Sequence, residues 1–387
     1  MSEAALPTTV ACPDCGYDVP AAPYCVRCGE WLEDDLASHP TARRGFGAAP
    51  NESRFAPKLS TLFPQLPRNE LDTFQLALGA GVAVVIALAL GRLFPLALVA
   101  AAVLTPLLLI LYLWEVDLYE DEPVHVIALT VAWGAVAGVA MGLLSKEIVD
   151  VDAGFVAERT GRTVVWLGIV LPLVGVILML VGPLVLLPYR KFNDVLDGAT
   201  FGAASAVAFV GAGLLTHSAS YLGTGLRPVG DVVPWTVRVI ALAVAIPVIA
   251  AGSVGGAAGS LWLKYRAPAR DRNALGLLGN PAVAIPLAGA LVVGAALIQL
   301  YTREWLQLAL LVATSLLALL WLRHVIDVGL RQESAEIEIG PPVACANCGK
   351  ATPRHTFCAS CGVSLQALPK ATRPGRLAPP PAGQEAF

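Results

Sequence analysis

One cysteine pattern occurs at both ends of this chain, with a long apolar block between the copies. The first is Cys12-Pro13-Asp14-Cys15-Gly16 followed by Tyr24-Cys25-Val26-Arg27-Cys28-Gly29. The second is Cys345-Ala346-Asn347-Cys348-Gly349 followed by Phe357-Cys358-Ala359-Ser360-Cys361-Gly362. Each is two C-x2-C-Gly pairs nine residues apart, with an aromatic before the third cysteine, and together they use all 8 cysteines. Four thiolates at this spacing close a tetrahedral shell around Zn2+, and so small a module needs the metal to fold. The glycine after each pair suits the positive φ of a tight knuckle. Disulfides in an oxidising compartment are the alternative, and the fourfold C-x2-C-Gly repeat argues against them. The expectation is two structural Zn2+, one on Cys12, Cys15, Cys25 and Cys28, the other on Cys345, Cys348, Cys358 and Cys361. A closed thiolate shell leaves no open catalytic position, and His355 is spare. Zinc thiolates favour a reducing cytosol, which places both termini there.

The block between the ribbons is membrane-like. The chain has 387 residues, 56% hydrophobic and only 14% charged, where soluble proteins carry about 25% charged residues. A net charge of -3 argues against bulk electrostatic binding of nucleic acid, and Arg27 and Arg354 are too few for a patch. Residues 1–70 hold no apolar run long enough for a secretory signal. Eight spans are expected, at 74–93, 95–114, 124–144, 164–187, 198–222, 234–263, 281–301 and 304–325. The first two are separated only by Arg92 to Pro95, so seven spans remain open. The sixth is long enough to tilt or break, and Pro183 and Pro247 are candidate breakers. Eight crossings put both ribbons on one side. The distribution of basic residues agrees: Arg43, Arg44, Arg54, Lys58, Arg68, Arg190, Lys191, Lys264, Arg266, Arg270 and Arg272 then face inward.

Three stretches carry a family resemblance. Trp114-Glu115-Val116-Asp117-Leu118-Tyr119-Glu120-Asp121-Glu122-Pro123 leads into His125 and Trp133-Gly134. Leu171-Pro172-Leu173-Val174 follows, and then Asn193-Asp194-Val195-Leu196-Asp197-Gly198-Ala199-Thr200-Phe201-Gly202 with Ala206-Val207-Ala208-Phe209. In order and spacing this resembles the PrsW family of intramembrane proteases over residues 95–262. The resemblance implies paired glutamates and a basic residue after the proline, a further glutamate after the Phe, and a later histidine. Those positions fall on Gly175, Val176, Met179, Gly213 and the stretch Pro247–Ile249, none of which ionises. No Asp or Glu lies in the apolar interior of any expected span, Asp197 and Glu304 standing at boundaries, so water-activating carboxylates have no place at mid-membrane.

Other groups have two readings. His217 and Arg238 form a ligand or proton site near the outer face, or snorkel to the interface. Asp117, Glu120, Asp121 and Glu122 bind a divalent cation, or form a solvated loop. The interleaved G-x-x-x-G patterns over 252–260 form a dimer face, or pack within the bundle.

The expected fold is an all-α polytopic membrane protein with small cytoplasmic zinc ribbons at both termini. Its parts are a ribbon at 10–32, a flexible linker at 33–69, a PrsW-like transmembrane domain at 70–330, a ribbon at 340–365 and a disordered tail at 366–387. The expected function is a bacterial-type, non-catalytic scaffold or adaptor in the cell membrane, contacting lipid and, through the ribbons, a cytosolic protein. The alternatives are an active PrsW-type intramembrane endopeptidase, using residues such as His217, Asp197 or Glu122, and a transporter.

Overall fold

The computed structural model describes residues 9–13, 15–32, 73–116, 124–148, 161, 164–222, 232–269, 271–333, 338–345, 348–362 and 365. The expected linker, the acidic loop from Asp117 to Glu122 and the tail lie outside the described residues. The ends of the chain form one compact unit and the helices another.

The helical unit begins with α1 (Thr73–Leu90) and α2 (Phe94–Val116). A sharp turn separates them: Leu93 N–H donates to Leu88 O (2.8 Å) and Arg92 N–H to Ala89 O (3.0 Å), with Arg92 at φ 58°. This is a Schellman stop, with Arg92 in the left-handed position that glycine usually fills. Leu104 of α2 packs against Gly81 of α1, as far beyond the turn as Gly81 is before it. The two expected spans are therefore an antiparallel hairpin rather than one long helix. Then come α3 (Val124–Ile148), a π-helical segment (Val164–Val170) running into α4 (Leu171–Leu186), and α5 (Val195–Leu222). Next are α6 (Val232–Ile240), a π-helical segment (Ala241–Ala245) and α7 (Ile246–Tyr265), then α8 (Pro281–Tyr301) and α9 (Glu304–Glu333). Among the described residues seven continuous segments are long and apolar enough to cross a membrane, with α1 contributing a shorter apolar stretch. The chain is a multi-pass membrane protein by this measure.

Small residues decide which helices are central. Of the α5 span 67% is buried, against 22% for α8 and for α9. A Cβ on Gly134 or Gly138 of α3 would stand 2.2 Å from Ser205 O or Phe209 O of α5, and one on Gly202 would stand 2.8 Å from Val254 O of α7. Backbones approach this closely only where side chains are absent. The G-x-x-x-G residues are consumed in the same way: Gly252 meets Ala318, Gly256 the Trp321 ring and Gly259 Val325, all on α9, while Gly255 meets Ala199 O on α5. The dimer-face reading of 252–260 is thereby replaced by packing within the chain.

Pro247 does not break its helix. Its missing N–H leaves Ala243 O, four residues back, without the usual donor. The π segment widens the turn there, and Thr105 of α2 shares its hydroxyl proton between Ala101 O of its own helix (3.0 Å) and Ala243 O (3.2 Å). The span then runs unbroken from Val233 to Tyr265. Pro183 sits in the last turn of α4, where the helix is ending anyway.

Candidate metal centres and the polar groups of the bundle

In the first ribbon β1 (Thr9–Ala11) pairs antiparallel with β2 (Asp18–Pro20). In the second β3 (Gly340–Ala344) pairs antiparallel with β4 (Ala351–Arg354). Each hairpin presents one C-x2-C pair at its turn. Gly16, Gly29, Gly349 and Gly362 have φ of 71°, 74°, 71° and 70°. Each donates its N–H to the carbonyl of the first cysteine of its pair, at 2.7 to 2.9 Å. Glycine at these four places lets the chain fold back so that both thiols point to one centre.

The sulfurs of Cys12, Cys15, Cys25 and Cys28 converge, as do those of Cys345, Cys348, Cys358 and Cys361, with the ligand atoms of each group within 4.8 Å of one another. Cys12 Sγ lies 3.5 Å from Cys28 Sγ, and the Cys15–Cys25, Cys345–Cys361 and Cys348–Cys358 pairs stand at 3.8 Å. A tetrahedron with Zn–S bonds of about 2.3 Å has edges of about 3.8 Å, so the donor sets fit that ion. None of the eight is in a disulfide. Hydrogen bonds from Cys12, Cys25 and Cys28 hold the Cys15 thiol far below its ordinary range, and those from Cys345 and Cys361 do the same to Cys358. In the same clusters the neighbouring thiols push Cys28 and Cys345 the other way, above the ordinary range. Among the described residues no other group of three or more His, Cys, Asp or Glu side chains converges in this way.

The ribbons do not stand alone. Tyr24 N–H donates to Ala359 O at 3.0 Å, and Phe357 N–H donates to Val26 O at 2.9 Å. Tyr24 and Phe357 are equivalent positions in the two copies, as are Val26 and Ala359, so each ribbon gives and receives the same bond. This is the self-complementary arrangement of a two-fold dimer, made here within one chain. Ala359 joins Cys12, Val19, Cys25, Val26 and Cys28 in one hydrophobic cluster, and the Phe357 ring packs over Gly29. His355, spare as a ligand, is buried here with Nδ1 2.9 Å from Val26 O.

In the bundle, the positions where the family resemblance calls for ionisable groups are packed. Val176 and Met179 belong to the largest core cluster, and Gly175 lies against the Phe209 ring. Trp133 donates its indole N–H to Leu178 O of α4 at 2.9 Å, and Phe201 is buried against Phe192 and Trp262. Asp197 is buried in the first turn of α5, where its carboxylate accepts the N–H of Asp194 at 3.0 Å. Asp197 N–H donates in return to Asp194 O at 3.1 Å, and the helix starts three residues before the expected boundary. His217, half-buried near the end of α5, lies within electrostatic reach of Lys146 and Arg238, and Lys146 Nζ donates to Thr216 O at 2.8 Å. Sequence reasoning passed over Arg323, which is buried in α9. Its signal is the i, i+4 pair with Asp327 at the end of an otherwise apolar run.

Comparison with protein families, with curated proteins and with solved structures gives no match for this chain.

Proposed function

We propose that this chain is a non-catalytic membrane scaffold or adaptor of PrsW-like architecture, with two structural Zn2+ and with its paired ribbons as the cytosolic part that meets a protein partner. The observation that carries the non-catalytic reading is the apolar packing at Gly175, Val176 and Met179. A pair of carboxylates there would need water or a cationic neighbour, and the space is taken by Phe209 and by the bundle core. Pairing of the ribbons supports a single topology. Two modules joined by backbone hydrogen bonds must lie on one side of the bilayer, which requires an even number of crossings. The seven long segments among the described residues leave the count odd, and α1, the shorter apolar helix, is read as the eighth crossing. A reducing compartment suits the thiolates, so that side is the cytosol and the membrane is the cell membrane.

The test compares the N-terminal peptides of membrane proteins in cells with the intact gene, with a deletion, and with the deletion complemented. Unchanged termini are the expected result. A cleavage product that vanishes on deletion and returns on complementation would overturn the scaffold reading in favour of an intramembrane endopeptidase.

A further inference from the structure

The contact between the ribbons is built from the metal knuckles themselves. Tyr24 and Val26 flank Cys25, and Phe357 and Ala359 flank Cys358, so every atom of the reciprocal hydrogen bonds lies within one residue of a ligand. Residues between the cysteines of a C-x2-C pair point away from the metal and are ordinarily wet. Pro13, in the first pair of the first ribbon, is exposed in this way. Val26 and Ala359 hold comparable positions, each in the second pair of its ribbon, and are buried, at 0% and 5% exposure. The pairing is what buries them. A module with so little core keeps its knuckle geometry only while its thiolates are ligated. Loss of metal from Cys25 or Cys358 therefore displaces the atoms that grip the other ribbon. The converse follows from linkage: whatever holds the pair together tightens both metals, and the effect is equal in the two directions.

We propose that the two four-cysteine sites are the halves of one metal-linked clasp. Each ribbon holds its metal more tightly because the other is loaded, and removing the metal from either releases the two ends of the chain from each other. This inference rests on both sites binding Zn2+ and is independent of the adaptor reading. A clasp that loads and opens as described stands whether or not a partner docks on it.

The experiment uses the full chain in lipid nanodiscs, loaded with Zn2+ and titrated with a chromophoric chelator. The quantity read is the affinity of the first site, Cys12 to Cys28, in three further proteins. Ala359→Asp puts a carboxylate into the contact and leaves all eight cysteines in place. Cys345→Ser with Cys348→Ser removes the second site. The third protein combines all three substitutions. In each, the first site is expected to lose its zinc at a chelator strength lower by on the order of tenfold. The combined variant falls no further than the cysteine variant alone. The reciprocal change, Val26→Asp, weakens the second site in the same way. Because the site measured is always in the ribbon left unaltered, local unfolding of the substituted ribbon does not confuse the result. Unchanged first-site affinity in all three variants would overturn the clasp, as would a chain that holds fewer than two zinc ions.

Discussion

The structure gives Gly134 a packing role between α3 and α5 that Gly134→Ala tests directly. A Cβ at residue 134 would stand 2.2 Å from Ser205 O and 3.0 Å from Ser205 C, with Ala208 Cβ at 3.1 Å. A carbon approaches a carbonyl oxygen no closer than about 3.3 Å at ease, so α3 and α5 must separate locally by about 1 Å. The obstacle is backbone inside a helix and cannot swing aside. Such overpacking costs about 1–3 kcal/mol, and the gap opened on either side forfeits a quarter to a half of the local dispersion attraction. Gly138→Ala meets Phe209 O at the same 2.2 Å and is expected to behave alike. Gly294→Ala in α8 is the control: nothing lies within 4 Å of its added Cβ. Alanine there should stabilise the helix by about 0.5–1 kcal/mol. The assay is unfolding by SDS in mixed micelles, followed by tryptophan fluorescence and far-ultraviolet circular dichroism. Gly134→Ala should unfold at a clearly lower SDS fraction than the parent, and Gly294→Ala at an equal or higher one. Equal midpoints for Gly134→Ala and Gly294→Ala would refute the close approach of α3 to α5.

Elemental analysis of the purified chain should give two zinc ions per molecule. Ligation needs every cysteine as thiolate, so protons compete with the metal, and zinc should be released and the ribbons lose stability as the pH falls. Thr105→Val keeps the shape of the side chain but leaves Ala243 O without its hydroxyl donor, and should lower the stability of the bundle by about 0.5–1.5 kcal/mol in the SDS assay. Reporter fusions should place the two ends of the chain on one face of the membrane and the turn at Gly91 to Leu93 on the other. A turn on the same face as the ends would remove α1 from the count of crossings.

The parts legible in the sequence are those decided locally. Thiolate chemistry fixes the spacing of Cys12 to Cys28 and of Cys345 to Cys361, and the knuckle fixes glycine at 16, 29, 349 and 362. All four adopt the expected positive φ. Apolar runs of bilayer length likewise announce themselves, and the hairpin turn at Arg92 is visible as the one charge between two of them. What is not legible depends on partners far away in the chain. Val26 and Ala359 look like ordinary filler between cysteines, and only the contact between opposite ends of the chain shows why neither is charged. The glycines from 252 to 259 fit either a dimer or a bundle until Ala318, Trp321 and Val325 are found against them. Pro247 reads as a breaker until Thr105, far upstream in the chain, supplies the missing donor to Ala243 O. In each case the local pattern fixes what chemistry a residue can offer, and the tertiary neighbour decides which offer is used. The ribbons show the rule at full scale: the motif specifies two metal sites, while their coupling resides in two backbone hydrogen bonds that no motif encodes.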